Sequence, residues 1–185
     1  VRTGDLMPVL SKYSHVSPAG IGRYRNTVLG DDFKDNLFSA QFNTHRIIRH
    51  KLFREGASFR TEDEPFFWSD NEDFHPTDVL EDADGSLLVV ETGGWFIKGC
   101  PLSQVSKPEL KGSVYRVRRN GAKKAGDPYG NAVQWAGLTP GDMVKHLESD
   151  NAFVSDRAAQ QLADAGNAAI EPLRALLGQS SFAEA

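Results

Sequence analysis

The sequence has almost no cysteine, and this shortage excludes several classes of site. Cys100 is the single cysteine among 185 residues, so the chain contains no internal disulfide, no CxxC redox pair and no CxxCH haem attachment motif. The simplest interpretation of such a lone thiol is a packed or unused side chain. We therefore expect no disulfide framework and no haem bound by this stretch of sequence.

Long apolar runs and an excess of positive charge are also missing. The longest uninterrupted apolar stretch is only a few residues, which is too short to span a membrane. The formal net charge is -4, whereas nucleic-acid-binding domains usually present a basic surface. We therefore expect neither a membrane span nor a nucleic-acid partner.

The composition that remains is that of a folded globular protein. Hydrophobic residues make up 39% of the chain and charged residues 25%, so enough apolar surface is available for a core. The chain begins at Val1, without an initiator methionine or a signal-peptide pattern. We expect it to be an internal piece of a longer protein.

The stretch at residues 75–94 predicts the centre of the fold. Residues 77–80 and the run SLLVVE at 86–91 have the composition of strands, and Gly85 between them is free to adopt a positive φ in a tight turn. Residues 112–119, GSVYRVRR, predict a third strand. Three short antiparallel strands within about 40 residues are typical of one β-propeller blade.

The residues before this stretch predict a second blade. Residues 20–24 form a short strand, and residues 36–42 and 46–53 form a hairpin around a tight turn at Asn43 and Thr44. Residues 54–73 are predicted to be a connector, whose aromatic side chains cover a blade edge. Its acidic side chains lack the spacing of a calcium loop and are expected to face solvent.

Two further segments complete the organisation. Residues 93–111 predict a long loop, either a lid over the mouth of the propeller or a decoration of its edge. Beyond residue 138 the apolar period becomes helical, with Thr139-Pro140 and Ser155 as predicted N-caps and a third helix at 169–177. Short paired helices are typical of an α-solenoid.

The predicted fold class is therefore a β-propeller fragment followed by an α-helical solenoid. About two four-stranded antiparallel blades occupy residues 1–119, a linker occupies residues 120–138, and HEAT-like helical repeats occupy residues 139–185.

A family resemblance rests on three motifs in the strand-rich part of the chain: FNTHRIIRHKL, DFHPTDVLEDADGSLLVVETGGW and KPELKGSVYRVRR. These motifs resemble the last blades of the soluble glucose/sorbosone dehydrogenase-type propellers. The resemblance is closer to a planctomycete and verrucomicrobial subgroup, the "membrane-bound dehydrogenase" or PVC-type haem-binding CxxCH proteins. Those large secreted proteins join such a propeller to HEAT repeats and often to a cytochrome c module.

The resemblance implies oxidation of a sugar or alcohol, with electrons passed to a quinone or to a cytochrome c module. It also implies a periplasmic or extracellular location and a sugar-like small molecule or glycan as partner. Haem c is expected only in a separate module further along the parent protein.

The cofactor stays open. The family suggests pyrroloquinoline quinone, which it binds with two arginines at the start of the blade and a lysine from the preceding hairpin. The corresponding residues here are His75, Thr77 and Asn43, and none carries a fixed positive charge. Each lost charge-assisted hydrogen bond to a trianionic quinone is worth about 1.5–3 kcal/mol.

The best candidate for a catalytic residue is His75, because a neutral imidazole is able to act as acid, base or metal ligand near pH 7. The alternative is a histidine that closes a blade corner by hydrogen bonding. We predict cofactor or substrate binding by Gln41, Asn43, His75 and Thr77. No metal site is expected, since His45 and His50 are five residues apart and would point to opposite faces of one strand. The polar side chains predicted to face the channel are His15, Gln41, Asn43, His75, Thr77 and Glu91.

Two functions follow from these residues. The first is a dehydrogenase-like oxidoreductase, of which this piece alone would be inactive. The second is a non-catalytic scaffold that binds a glycan or a protein.

Overall fold

The computed structural model describes residues 9–94, 107–122 and 126–179. Two compact units make up the chain: residues 1–82 with 86–122, and residues 83–85 with 123–185. The predictions for Cys100 and for most of the loop at 93–111 fall at residues 95–106, which lie outside the described residues.

The first sheet of the N-terminal unit has four antiparallel strands. They are β1 (Pro18–Arg23), β2 (Leu37–Gln41), β3 (Arg46–Glu55) and β4 (Ser58–Trp68), hydrogen-bonded in chain order. The predicted hairpin is confirmed as β2 and β3, with Leu37 opposite His50 and Gln41 opposite Arg46. The prediction of a connector at 54–73 is wrong for most of that range. Strand β4 occupies it, because charged side chains suit a strand that pairs on one edge only.

The second sheet has three antiparallel strands, and all three were predicted. They are β5 (Pro76–Glu81), β6 (Leu87–Glu91) and β7 (Ser113–Val117), again paired in chain order. Gly85 adopts a φ of 77° in the turn between β5 and β6, as expected.

The core of this unit lies where β1 and β2 pack against β5. Phe38 and Ile47 are fully buried from the first sheet, as is Val89 from the second. Two glycines of β1 permit the close approach. A Cβ atom on Gly20 would lie 2.0 Å from the Asp78 carboxylate, and one on Gly22 would lie 2.4 Å from the Val79 carbonyl oxygen. Backbone therefore meets backbone where β1 crosses β5.

The C-terminal unit contains α1 (Pro140–Met143), α2 (Ala152–Ala165) and α3 (Ile170–Gln179). Thr139 caps α1 as predicted, accepting from the Asp142 amide. The prediction of Ser155 as the next N-cap is wrong, because Asn151 accepts from the first amides of α2 and Ser155 lies inside that helix.

Small apolar clusters hold this unit together. Trp135 packs with Val154 and Ala158, while Leu162 packs with Ala169. None of the helices in the described part of the chain has the length and apolar character needed to cross a membrane.

The predicted fold class is wrong. Residues 9–94 and 107–122 form two open antiparallel sheets of four and three strands rather than propeller blades. Residues 126–179 contain only two helices longer than one turn, which is too few for a HEAT solenoid. Alternating apolar residues and turn signals determine strands and their local pairing. They do not determine how sheets pack or whether a ring closes, and the prediction went beyond them at that step.

Candidate functional site

A polar groove of about 300 Å³ lies beside the three-stranded sheet of the N-terminal unit. It is lined by the end of β6, by β7, by the segment before β5 and by residues 109–111. The side chains in its wall that bear on ligand chemistry are Asp73, Glu91, Glu109, Lys111, Ser113 and Tyr115.

Strand register places the central members of this set. Glu91 ends β6 and lies directly opposite Ser113, the first residue of β7. Tyr115 follows two residues later, so its side chain leaves the same face of β7 as Ser113. Its ring lies 5.9 Å from Phe74 and 5.5 Å from Phe67, measured between centroids, yet Tyr115 stays 41% exposed. A supported aromatic ring is thus accessible beside a carboxylate.

The carboxylates of Glu91 and Asp73 are held differently. Glu91 is only 7% exposed, and its Oε2 accepts from the Gly93 amide at 2.5 Å. Among the described residues, no other hydrogen bond to this carboxylate is found, and Glu91 lines the groove. Both oxygens of Asp73 accept from the Lys107 ammonium, at 2.7 and 3.0 Å, and this hydrogen bond raises the pKa of Lys107.

His75 lies behind the groove and supports its wall. Its Nδ1 is 2.9 Å from the Gly93 carbonyl oxygen and 3.1 Å from that of Asp73. Carbonyl oxygens only accept, so Nδ1 carries the proton. The ring is 8% exposed and packs 4.5 Å from Phe42 and 5.3 Å from His45. The best sequence candidate therefore ties together two backbone segments that line the groove.

The amides of Gln41 and Asn43 also bind their own chain. Asn43 accepts from the Ser17 amide at 2.7 Å and donates to the His15 carbonyl at 2.9 Å. Gln41 is 3% exposed and accepts from the Thr44 hydroxyl at 3.0 Å. These contacts hold the approach to β1 and the turn between β2 and β3.

Thr77 makes a similar contact within the second sheet, donating to the Val90 carbonyl oxygen at 3.3 Å. Of the predicted channel residues, only Glu91 lines the groove. His45, assigned to a strand from the sequence, instead has φ 56° after the Phe42–Thr44 turn, and its Nδ1 lies 2.5 Å from the Phe74 carbonyl.

Sequence reasoning missed most of the groove. Asp73 was grouped with acidic residues facing solvent, and Tyr115 was treated only as part of a strand. The alternation in GSVYRVRR was the available signal, because it already placed Ser113 and Tyr115 on one face.

The groove does not fit a trianionic quinone. Among the described residues, its wall carries the carboxylates of Asp73, Glu91 and Glu109 and the ammonium of Lys111, while Lys107 is already paired with Asp73. Carboxylates of a quinone would face like charges here, which disfavours binding. In residues 9–94, 107–122 and 126–179, no group of three or more histidine, cysteine or acidic side chains is arranged to hold a metal ion.

Comparison with protein-family models, with curated proteins and with solved structures finds no match for this chain.

Proposed function

We propose that the N-terminal unit binds a sugar-like ligand in its groove and performs no chemistry on it there. The observation that carries this proposal is the exposed Tyr115 ring in a groove that Glu91 also lines. A sugar presents an apolar C–H face, which packs on an aromatic ring, and hydroxyl groups, which donate to carboxylates.

The size and polarity of the groove support a small ligand. Its volume of about 300 Å³ is at the lower end of the range of small-molecule sites, about 300–1,000 Å³. Ser113 and Lys111 add donors opposite the acidic side chains. A single sugar unit or the end of a glycan matches this combination better than a large cofactor does.

A sugar or alcohol dehydrogenase that passes electrons to a quinone or a cytochrome c module is the second proposal. The motifs around His75 and the position of its ring behind the groove support it. Two features favour binding over turnover. His75 Nδ1 already bonds two backbone carbonyl oxygens, and the groove wall is acidic. Both proposals carry a periplasmic or extracellular location, on the resemblance alone.

Titration calorimetry of the full chain against a panel of mono- and oligosaccharides tests the first proposal. We expect Glu91→Gln to weaken binding about tenfold or more, since a hydrogen bond to a charged group is worth about 1.5–3 kcal/mol. Tyr115→Ala should also weaken binding, because it removes the ring on which the apolar face of the sugar packs. Tyr129→Ala removes an exposed tyrosine from the C-terminal unit and serves as the control. Equal affinities in all three variants would exclude the groove as the sugar-binding site.

A redox assay separates the two proposals. The full chain is incubated with each sugar that binds, in the presence of a quinone and an artificial electron acceptor. Binding without reduction of the acceptor supports the scaffold. Sugar-dependent reduction that is lost in His75→Ala, with sugar binding retained, would support the dehydrogenase instead.

A further inference from the structure

Three neighbouring strands of the four-stranded sheet align a serine, a histidine and an aspartate. The Ser39 hydroxyl oxygen lies 2.8 Å from His50 Nε2, and His50 Nδ1 lies 2.8 Å from Asp63 Oδ1. The order is the one in which a serine nucleophile, a general base and an orienting carboxylate act.

Strand register explains why these side chains meet. His50 on β3 is directly opposite Asp63 on β4 and Leu37 on β2. Ser39 is two residues beyond Leu37, so it shares the same face of the sheet and is the diagonal neighbour of His50. The arrangement is built from regular strands.

The protonation pattern follows from the contacts of Asp63. Burial opposes ionisation of this carboxyl, but hydrogen bonds from Tyr13 and His50 outweigh it and lower its pKa. The Tyr13 hydroxyl donates to it at 2.6 Å, and burial together with Asp63 raises the pKa of Tyr13. An ionised Asp63 only accepts, so His50 Nδ1 carries a proton. In the neutral ring, Nε2 then accepts from Ser39.

Ser39 is partly exposed and lies beside an exposed apolar side chain. Ser39 is half-buried, whereas His50 is only 5% exposed. Ile21, opposite Ser39 on β1, is 63% exposed, and β1 has a bulge between Pro18 and Ile21. A bulge leaves one residue out of the ladder, and bulges are frequent beside active sites. The exposed Ile21 side chain offers an apolar contact next to the hydroxyl.

We propose that Ser39 is a nucleophile toward carboxylic esters with a small apolar acyl group, with His50 as its general base and Asp63 as the residue that positions His50. This site is separate from the groove, and the proposal does not depend on sugar binding.

The reaction is a hydrolysis in two steps. Ser39 Oγ forms a bond to the acyl carbon while its proton passes to His50 Nε2. The bond from that carbon to the alcohol oxygen breaks, and the alcohol leaves with the proton. Water then gives a proton to His50 and attacks the acyl-serine. Ser39 recovers the proton, and a carboxylic acid is released.

A fluorophosphonate probe and p-nitrophenyl acetate test the proposal on the full chain. We expect one probe adduct per chain, located at Ser39 by peptide mass spectrometry, and release of p-nitrophenol that Ser39→Ala lowers at least 100-fold. Ser58→Ala, which removes an exposed serine from β4, is the matched control and should react like the original chain.

Two results would overturn the proposal: no adduct on a chain that is folded by circular dichroism, or an adduct that persists in Ser39→Ala. Ser39→Cys provides a second variant, since a thiol at this position keeps a nucleophile. It should be alkylated by iodoacetamide faster than a Ser58→Cys variant, and an equal or slower rate would count against activation by His50.

Discussion

His50 and His75 are two buried histidines of the N-terminal unit whose imidazole rings have different hydrogen-bond partners. His50 is 5% exposed and directs Nδ1 at the carboxylate of Asp63. His75 is 8% exposed and directs Nδ1 at two backbone carbonyl oxygens. A carboxylate stabilises the imidazolium that forms when Nε2 takes up a proton, whereas neutral carbonyls do so far less. Burial alone therefore does not identify the histidine that is prepared for chemistry.

The two sites also differ in what their histidines connect. His50 joins side chains on three strands whose backbones are already fixed by ladder hydrogen bonds. His75 joins backbone segments around residues 73 and 93, which lie outside the strands, and its own carbonyl oxygen accepts from the Thr92 amide at 3.1 Å. His50 therefore orients other side chains, whereas His75 holds two backbone segments together.

The largest expected effect concerns the carboxylate that distinguishes the two. Asp63→Asn should lower kcat for p-nitrophenyl acetate on the order of 10³–10⁴-fold with little change in KM, because the amide favours the wrong tautomer of His50. Steady-state kinetics measures this, and Asp63→Glu should recover part of the loss. Asp35→Asn, at an exposed ion pair with Arg23, is the control. A rise in KM at constant kcat would show that Asp63 does not position His50.

Stability should separate the two histidines next. His50→Ala removes a hydrogen bond to a charged group and should lower the free energy of unfolding by about 3 kcal/mol. His75→Ala removes neutral hydrogen bonds and should lower it by about 1.5 kcal/mol. Urea titration gives both values. A loss for His75→Ala that equals or exceeds the loss for His50→Ala would reverse the comparison.

Acid should weaken the contact between Asp63 and His50. The pKa of Asp63 is lowered on folding, so its stabilisation is fully present above the unfolded value of 3.8 and is lost as pH falls through the folded value. The difference in unfolding free energy between the original chain and Asp63→Asn should therefore shrink as pH falls below about 4, by at most about 1.4 kcal/mol per pH unit. Denaturation curves from pH 5 downward, with pH steps of about 0.5, provide the test.

The smallest effects on stability are expected from substitutions at two threonines, one near each histidine. Thr61 bonds the Ser11 hydroxyl at 2.7 Å, and Thr77 bonds the Val90 carbonyl at 3.3 Å. Replacement by valine keeps the β-branched shape and removes only the hydroxyl. We expect a loss of about 1 kcal/mol for Thr61→Val and about 0.5 kcal/mol for Thr77→Val, both from thermal unfolding. A larger loss of stability for Thr77→Val than for Thr61→Val would contradict this order.

The sequence was sufficient for most strands and insufficient for the sites. Alternation placed β2, β3, β5, β6 and β7 because each has an apolar face or a clear turn beside it. Strand β4 was missed, since its charges resemble those of a solvated connector. Without β4, Asp63 has no partner in the sequence, and the contact with His50 could not be found.

The sequence led us to consider His50 only as a possible metal partner of His45. The sequence argument treated His45 and His50 as members of one strand, but His45 is in a left-handed conformation before β3 begins. The predicted hairpin already implied that Ser39 and His50 share a face, so part of this site was within reach. The packing of the two sheets was not, because it depends on contacts between residues far apart in the chain.

The close approach of β1 to β5 at Gly20 and Gly22 tolerates substitution less well than a contact between side chains does. A contact between side chains adapts to mutation by changing rotamers. A Cβ atom on Gly22 would instead meet the Val79 carbonyl oxygen, and one on Gly20 would lie 2.7 Å from the Asp78 Cα atom as well as against the Asp78 side chain. Since main-chain atoms lie within 3 Å of both positions, an added carbon would require the backbone of β1 or β5 to shift. Since β5 begins at Pro76, such a shift would start one residue from His75, whose ring contacts the Gly93 carbonyl oxygen in the groove wall.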